Sequence, residues 1–348
     1  MTLSVIVPIL NEADQLPELF SALSRQVGVA FELVLVDGGS TDGSLELARK
    51  LAVEASFSCR FCSSRRGRGR QMNQGVALSS GKTLLFLHAD SRFVEPHALA
   101  SALAYLDDRI AATGHERIAG HFAIRFQQYD SGSALGFYFL ECKARLDRTG
   151  CIHGDQGFLL QRSFFDQVGP FDESLGFLED NRLAQAVRHN GAWLLLPSVL
   201  LTSSRRFQQE GFRQRQVLNV VIMSLEAVGR GDLLELLPGI YRQQDGTGKL
   251  QLQPFFQILT CHLANQSRLE RLKFWYRTGR YAVANAWQMA FYRDVRRAFH
   301  RGLEPGGGST PCLQFFDRFL FRLIDHPLGY GCAAVLAWTW CLAQRILG

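Results

Sequence analysis

The sequence predicts an α/β fold, with a doubly wound mixed sheet followed by a C-terminal helical extension. Over the first half of the chain, short apolar or β-branched runs alternate with segments of helical period, which is the pattern of βαβ units. These runs are apolar nearly throughout, as expected of strands that are covered by helices on both faces. Residues 243–348 contain 13 Lys and Arg against 6 Asp and Glu, so the composition changes near residue 243.

The strands and helices are expected in alternating order. From residue 119 the rhythm changes, because residues 120–126 alternate like a strand of an antiparallel or mixed sheet and residues 133–146 have a helical period. The parallel part of the sheet is therefore expected first. Its four strands are predicted at residues 3–8, 31–36, 60–63 and 83–87, and its helices at residues 12–25, 43–53, 70–79 and 96–106.

Length and composition suit one large domain with an appendage. The 348 residues are 47% apolar and 20% charged, which excludes a disordered chain. We predict domains at residues 1–242 and 243–348, joined at the polar segment QQDGTGK. The N-terminal MTLSVIVPILNE is expected to be a first strand and not a signal peptide, which indicates a cytoplasmic protein with reduced thiols. Cys59 and Cys62 form a C-x-x-C without a second pair, so buried thiols are favoured over a metal or redox site.

Polar loops follow three of the predicted strands. The first strand ends in PILNE, the second in VDGGSTDG and the fourth in HAD. Because ligands of such sheets bind beyond the carboxyl ends of the strands, these loops are expected to converge on one crevice. A strand-to-helix turn alone would explain residues 38–42 as a helix cap, but it would not require Asp37 at the strand tip.

The segment RRGRGRQMNQG, residues 65–75, places four arginines before a short helix. Arginine side chains and the free amides of a helix N-terminus suit a diphosphate. Nucleic acid is the alternative ligand, but the segment lacks interleaved aromatic residues and is flanked by acidic strand ends that would repel a polyanion. A small phosphorylated ligand is therefore favoured, and no nucleic-acid partner is expected.

Two acidic positions suit further chemistry. Asp90 stands where Mg2+ or Mn2+ would bridge the protein and a diphosphate, since such a cation needs only one or two carboxylates when phosphate and water complete its shell. Its alternative role is to cap the helix that begins near Pro96. Glu179 and Asp180 open an amphipathic helix, where one carboxylate could deprotonate an acceptor hydroxyl. The alternative is an acidic first turn that complements the helix dipole.

Seven motifs occur in order along the chain: VIVPILNE, VDGGSTDG, GRGRQMNQG, GKTLLFLHADS, GDQGFLLQRSFFDQVGPFDE, LEDNRL and TSSRRF. Their order resembles that of the family 2 glycosyltransferases of the GT-A fold. The sequence is most similar to the compact bacterial subgroup of arsenosugar-biosynthesis or radical-SAM-associated glycosyltransferases, over about residues 4–241. The resemblance implies a GT-A-type nucleotide-diphospho-sugar transferase fold and an inverting, metal-assisted transferase of the hexosyltransferase type.

The resemblance also implies roles for individual residues. Asp180 would be the general base, Glu179 its neighbour in the catalytic motif, and Asp90 the ligand of Mg2+ or Mn2+. A nucleotide-diphosphate sugar donor would be bound by residues of several loops, including a nucleoside pocket at the first strand and two arginines near the diphosphate. These donor-binding residues are Pro8, Asn11, Glu12, Asp37, Gly38, Arg68, Arg70, Asn73, Asp155, Arg205 and Arg206.

The sequence departs from the family pattern at two positions. His88 stands in place of the first aspartate of the metal motif, which leaves one carboxylate for the cation. Gly38 stands where many relatives have a second aspartate, so the identity of the nucleotide stays open. The acceptor, a small molecule or a lipid, is expected to be bound around residues 127–154.

Residues 243–348 lie outside the resemblance. Apolar residues recur at helical spacing from Leu269 to Phe291 with arginines among them, and residues 327–344 are uncharged. Three interpretations stay open: a helical module that packs on the first domain or on a second copy, peripheral contact with an anionic membrane, and a membrane span. A span needs about 20 apolar residues, and the glycines of this segment weaken it.

Two other functions compete with glycosyl transfer. A GT-A-like nucleotidyltransferase would need a glycine-rich, basic loop directly after the first strand, where PILNEADQL stands instead. A non-catalytic nucleotide-sugar-binding module that acts through its basic helical tail would have no need of Asp180.

Overall fold

The computed structural model describes residues 3–244 and 248–347, without the side chains of residues 346 and 347. Its contacts divide the chain into two compact units. The first comprises Met1–Gln128 and Lys143–Ser203, and the second comprises Tyr129–Cys142 and Ser204–Gly348. The domain boundary predicted after residue 242 stays a prediction.

The first unit contains one sheet with helices on both faces. Its strands are β1 (Leu3–Ile9), β2 (Phe31–Asp37), β3 (Ser58–Ser63), β4 (Thr83–Phe86), β5 (Arg92–Phe93), β6 (Ile118–Gln127), β7 (Phe158–Gln161) and β8 (Ala192–Ser203). Its helices are α1 (Leu16–Ser24), α2 (Ser44–Val53), α3 (Arg68–Leu78), α4 (Ala98–Thr113), α6 (Arg162–Val168) and α7 (Glu179–Asn190); α5 (Ala134–Lys143) lies almost entirely in the second unit.

The sheet is mixed, with the strand order β3-β2-β1-β4-β7-β6-β8-β5. Strands β1 to β4 are parallel to their neighbours within that group, β7 is antiparallel to both β4 and β6, and β5 is antiparallel to β8. The predicted fold class, an α/β fold with a doubly wound mixed sheet followed by C-terminal helices, is confirmed.

The four predicted strands are confirmed within about two residues, but two helix bounds differ. Helix α1 begins at Leu16 and not at residue 12, because residues 11–15 form a turn in which Asn11 has φ +56°. Helix α4 continues to Thr113, where Gly114 ends it in the left-handed conformation at φ +72°. Strands β5, β7 and β8 are additions that the alternation did not predict.

Both faces of the sheet are buried by helices, as the apolar strands predict. On β1, Val5 and Val7 face a core shared with α1, α2 and α4, whereas Ile6 faces a second core shared with α3, α6 and α7. The strand side chains alternate between these two cores, so every β1 position from 3 to 7 is buried. The polar residues of β1 and β2 are therefore confined to the ends of the strands.

Helix α3 lies very close to the sheet at Gly75. A Cβ atom at this residue would lie 2.4 Å from Cγ2 of Ile6 and 3.2 Å from Cγ2 of Val36. At the other end of the helix, the Gln71 side-chain amide donates to the carbonyls of Ile9 and Val36, each at 2.8 Å. These contacts fix the first turn of α3 beside the carboxyl ends of β1 and β2.

The second unit is helical, and no helix of the described residues is long and apolar enough to span a membrane. Besides α5, its helices are α8 (Arg205–Glu210), α9 (Phe212–Ala227), α10 (Gly231–Leu234), α11 (Leu237–Arg242), α12 (Gln253–Ala264), α13 (Arg268–Ala284), α14 (Trp287–His300), α15 (Pro311–Phe315), α16 (Phe321–Ile324) and α17 (Pro327–Leu347), with a π-helical turn between α15 and α16.

Substitution of Gly75 tests how tightly α3 is held. Gly75→Ala is expected to lower the free energy of unfolding by about 1–3 kcal/mol, because the added methyl group overlaps a buried, β-branched side chain. The matched control is Gly239→Ala, which adds the same methyl group in α11 with no atom within 4 Å and is expected to be neutral or slightly stabilising. Urea denaturation of both variants measures the difference, and equal midpoints would contradict the close packing.

Candidate functional site

The carboxyl ends of β1 and β2 lie side by side, with Ile9 paired to Asp37 in the parallel register. Asp37 is 5% exposed, and its carboxylate accepts the backbone N–H groups of Gly39 and Ser40, at 3.1 Å each. The carboxylate therefore stabilises the conformation of the loop that follows β2. Part of what this residue does is therefore structural, which the turn interpretation did not require of Asp37.

The two loops that follow these strands are tied together by hydrogen bonds. The Asn11 N–H donates to the Ser40 hydroxyl at 2.9 Å, and the Asn11 side-chain oxygen accepts the Thr41 N–H at 2.8 Å. The Glu12 N–H donates to the hydroxyl of Ser44, at the start of α2, at 2.9 Å. The left-handed conformation of Asn11 makes these contacts reachable, and asparagine tolerates it better than most residues.

The remaining predicted residues of this edge lie in the same place. Pro8 is half-buried and pairs with Val36, and the Gly38 N–H donates to the Ile9 carbonyl at 2.9 Å. A Cβ at Gly38 would lie 3.0 Å from the Gln71 side chain, so α3 closes directly on this loop. The five predicted residues of the first two loops are thus brought together, although their binding role is not tested by this arrangement.

Arg70 and Asn73, also predicted to bind the donor, contact the loop before α7. Arg70 Nε lies 3.1 Å from a Glu173 carboxylate oxygen. The Asn73 side chain donates to the Phe171 carbonyl and accepts its N–H, both at 2.9 Å. Gly69 permits this approach, since a Cβ there would lie 3.3 Å from Cβ of Phe171. The contacts of both side chains therefore hold α3 to a loop about 100 residues away in the sequence.

Arg68, in the first turn of α3, interacts with four carboxylates that come from three other segments. Its guanidinium lies 3.2 Å from a carboxylate oxygen of Glu179. The other three carboxylates also interact with the guanidinium through their charges. All four together raise the pKa of Arg68, although burial alone would lower it. We call these four residues the carboxylate cluster: Asp90, Asp155, Glu179 and Asp180.

Asp180 is held by backbone donors on both of its oxygens. Its Oδ2 accepts the Gly154 N–H at 2.7 Å, and its Oδ1 accepts the Asn181 N–H at 2.8 Å. His153 lies beside it, with Nδ1 2.7 Å from the Asn181 side-chain oxygen and Nε2 3.1 Å from the Gly150 carbonyl. The 3-10 turn Gly154–Gln156 and the start of α7 are therefore joined at this carboxylate.

The loop after β4 reaches the same point. A Cβ built on Gly154 would lie 2.9 Å from Asp180 Oδ2 and 3.3 Å from His88 Nε2, so a side chain at residue 154 would collide with the carboxylate. His88, which replaces the expected first aspartate of the metal motif, thus lies beside Asp180. Neither His88 nor His153 was predicted as a site residue, although both flank predicted ones in the sequence.

The pKa values of Asp155, Glu179 and Asp180 are shifted in different directions. Burial of Asp180 would raise its pKa, but the positive charge of Arg68 and the hydrogen bond from the Gly154 N–H hold that pKa below its usual range. Burial raises the pKa of Glu179 despite its ion pair with Arg68. Burial, reinforced by the charge of Asp180, also raises the pKa of Asp155. Asp180 is therefore a carboxylate that this environment keeps ionised.

Leu178, immediately before Glu179, has φ +70°, a conformation that is rare for a bulky side chain. Strain of this kind costs of order 1–3 kcal/mol and persists where the surrounding structure enforces it. Here it turns the chain into α7 so that Glu179 and Asp180 both reach the cluster. Strained backbone conformations are common at functional sites, and the positive φ of Leu178 is an observation of this kind.

One carboxylate of the cluster has an oxygen atom that no hydrogen bond of the described residues uses. Asp155 has a buried carboxylate oxygen without a hydrogen-bond partner in the described part of the chain, and the charge of Asp90 acts on this carboxyl group. No group of three or more His, Cys, Asp and Glu side chains in residues 3–244 and 248–347 is arranged to hold a metal alone. A cation here would therefore need phosphate and water to complete its shell.

Two predicted donor-binding residues lie in the other unit. Arg205 and Arg206 form the first turn of α8, in the second unit, and their predicted contact with a diphosphate stays a prediction.

In the first unit, Cys59 and Cys62 are free thiols on β3, and burial raises the pKa of Cys59 to about 11. Both side chains are half-buried, so the prediction of buried thiols is met only in part.

Sequence comparison finds curated relatives, several of which are described as glycosyltransferases. A PGL/p-HBAD biosynthesis glycosyltransferase of Mycobacterium bovis is 32% identical over 180 residues, which are 51% of this chain and 66% of that protein. The succinoglycan biosynthesis protein ExoA of Rhizobium meliloti is 27% identical, over 51% of this chain and 56% of its own length. The chain thus spans just under two thirds, or little more than half, of these relatives.

Similar solved structures include a mannosyltransferase of Pyrobaculum calidifontis, determined in complex with GDP-Man and Mn2+. It is 17% identical, with a TM-score of 0.49, and the match covers 97% of this chain and 87% of that one. TarS of S. aureus in complex with UDP-GlcNAc is 18% identical with a TM-score of 0.47, over 87% and 93% of the two chains.

The family model described as glycosyl transferase family 2 matches residues 4–169. The match runs from β1 to the end of α6 and includes the first two loops, the first turn of α3, Asp90 and Asp155. Glu179 and Asp180 lie ten residues or more beyond it, although the contacts above join them to the matched part. Residues 4–169, just under half of the chain, are therefore similar to glycosyl transferase family 2.

Proposed function

We propose that the protein transfers a sugar from a nucleotide-diphosphate donor to an acceptor hydroxyl with inversion at the anomeric carbon, and that Asp180 is the general base. The observation that carries the proposal is the environment of Asp180, which is kept ionised by Arg68 and oriented by the Gly154 N–H at 2.7 Å. A base for this reaction must be ionised and fixed in direction before the acceptor arrives.

In the proposed reaction, an Asp180 oxygen takes the proton of the acceptor hydroxyl while the acceptor oxygen forms a bond to the anomeric carbon. The bond between that carbon and the diphosphate breaks, and the electron pair leaves with the diphosphate. Each Asp180 oxygen accepts one backbone N–H and keeps a second acceptor direction for this proton. Glu179 supports the base indirectly, because its ion pair at 3.2 Å positions Arg68.

Mg2+ or Mn2+ is part of the proposal, with Asp90 as its main protein ligand and the free Asp155 oxygen within the same cluster. When bound, such a cation would neutralise charge on the departing diphosphate. The exchange of the first aspartate for His88 leaves fewer carboxylates for the cation, so the phosphates of the donor would contribute much of its coordination shell.

The donor side of the site is proposed from the loops of β1 and β2 and the first turn of α3. Pro8, Asn11, Glu12, Asp37 and Gly38 would surround the nucleoside, and Arg68 would face the diphosphate. Arg70 and Asn73 would act by holding α3 to the loop before α7. Arg205 and Arg206 are also proposed to contact the diphosphate. We further propose that the protein belongs to the subgroup of arsenosugar-biosynthesis or radical-SAM-associated glycosyltransferases.

The second unit is proposed to provide a surface that contacts a partner. Its surplus of positive charge suits peripheral contact with an anionic membrane, and a lipid is then a natural acceptor. The description of one curated relative as a succinoglycan biosynthesis protein supports a saccharide hydroxyl as the other candidate acceptor.

Replacement of the proposed base separates chemistry from binding. Asp180→Asn is expected to lower the rate of nucleoside diphosphate release in the presence of acceptor by about 10²–10⁴-fold, because the amide takes no proton. Binding of UDP or GDP with Mn2+, measured by calorimetry, is expected to stay within a few-fold of the native protein.

Asp166→Asn is the matched control, because Asp166 is exposed on α6 and should leave the rate unchanged. Native activity in Asp180→Asn would overturn the assignment of the base. Loss of nucleotide binding together with activity would show that Asp180 holds the site together instead.

Replacement of Asp90 tests the cation. Asp90→Ala is expected to abolish most of the increase in UDP or GDP affinity that Mn2+ produces, because it removes the main protein ligand. The comparison is calorimetric titration with Mn2+ and with EDTA, and Asp108→Ala, an exposed residue of α4, is the control. An unchanged Mn2+ dependence in Asp90→Ala would exclude Asp90 as a ligand.

A further inference from the structure

Helix α17 exposes a continuous apolar stripe to solvent. The members of this stripe follow one another at intervals of four, three and one residues, so they lie on one face of the helix. Leu328 is 77% exposed, Val335 59% and Leu336 69%. We call these residues the apolar stripe: Leu328, Cys332, Val335 and Leu336.

Two tryptophans border the stripe. At 100° per residue, Trp338 lies on one side of it and Trp340 on the other, and both side chains are more than a third exposed. Tryptophan favours the boundary between apolar and aqueous surroundings, with its ring in the one and its N–H in the other. Arg345 is the sole charged residue of α17, and it lies beyond the last turn of the stripe.

The opposite face of α17 packs against the other helices of its unit. The exposed stripe is therefore not the face by which α17 joins the core of that unit. Ala334 and Cys341 are buried, and a Cβ at Gly279 of α13 would lie only 2.1 Å from the Tyr330 carbonyl. Trp340 also contacts Phe256 of α12, with ring centroids 5.7 Å apart. The unit itself therefore fixes which side of α17 faces outward.

The segment before α17 continues the same character. Phe315, Phe319 and Leu323 are 53%, 48% and 68% exposed, and two exposed arginines, Arg318 and Arg322, stand among them. Asp317 and Asp325 balance these two charges, so the segment alone is near neutral. Exposed aromatic and aliphatic residues with cations beside them are typical of surfaces that enter the headgroup region of a bilayer.

Positive charge is concentrated in the neighbouring helices. Helix α13, on which α17 packs, contains five Lys and Arg against one Glu. Residues 243–348 carry 13 Lys and Arg against 6 acidic residues. A second copy would present the same positive charge and would be repelled, whereas an anionic lipid surface is complementary to it.

We propose that the apolar stripe of α17 lies in the headgroup boundary of an anionic membrane and holds the protein there peripherally. No helix of the described residues is long and apolar enough to cross the bilayer, so the contact is with one surface of it. The stripe supplies apolar insertion, the two tryptophans mark its depth, and the basic residues of α13 supply attraction to anionic lipid.

The experiment uses the full chain in flotation with phosphatidylcholine vesicles, with and without phosphatidylglycerol. The native protein is expected to float with the anionic vesicles and to be released by high salt in part only. The variant L328E/L336E is expected to reduce the floated fraction at least about tenfold, because two charges enter the stripe. Both positions are highly exposed, so folding is expected to be preserved, as a thermal melt would show.

The control V53E/V94E adds the same two charges at exposed apolar positions of the first unit, where they are 86% and 62% exposed, and should float like the native protein. Asp180→Asn should also float, which separates membrane contact from the proposed chemistry. A second measurement is fluorescence quenching by brominated lipid, which Trp338→Phe is expected to reduce.

Three results would overturn the proposal. The native protein fails to float with anionic vesicles, or L328E/L336E floats as well as the native protein. In the third, the native protein is a dimer in sedimentation that L328E/L336E converts to a monomer, without vesicle binding by either. That outcome would assign the stripe to a second copy of the chain.

Discussion

The interaction on which the site depends is that of one guanidinium, Arg68, with the carboxylate cluster. The first turn of α3, the loop after β4, the turn Gly154–Gln156 and the start of α7 each contribute a charged residue to it. Four carboxylates brought together without a cation would repel one another and would be driven toward protonation. The positive charge of Arg68 offsets this repulsion, and it helps to keep Asp180 ionised.

The position of Arg68 is in turn a consequence of how α3 is packed. Gly75 lets the helix approach Ile6, and Gln71 attaches its first turn to the carbonyls at the ends of β1 and β2. Asn73 then attaches the loop before α7 to the same helix. The helix thus connects the loops after β1 and β2, which are the proposed nucleotide side, to the side that holds the proposed base. Its glycines and amides are as important to the site as its arginines.

The sequence was sufficient to predict the parallel strands and the polar residues at their tips, because buried strands are apolar throughout and their polar ends stand out. The contacts of Asp180 with the Gly154 N–H and His153 could not be predicted in the same way. They join segments that are far apart in the chain, and a histidine within a loop gives no sign of what it will contact. Arg70 illustrates the same limit, since its ion pair with Glu173 spans 103 residues.

Arg68 is proposed to keep Asp180, the proposed base, ionised, and the pH dependence of the reaction tests this most directly. In Arg68→Met the positive charge is lost, so the pKa of Asp180 should rise and the acidic limb of kcat/KM against pH should move to higher pH. Arg68→Lys, which retains the charge, should leave the limb closer to its native position. An acidic limb that stays in place in Arg68→Met, at measurable activity, would contradict the account.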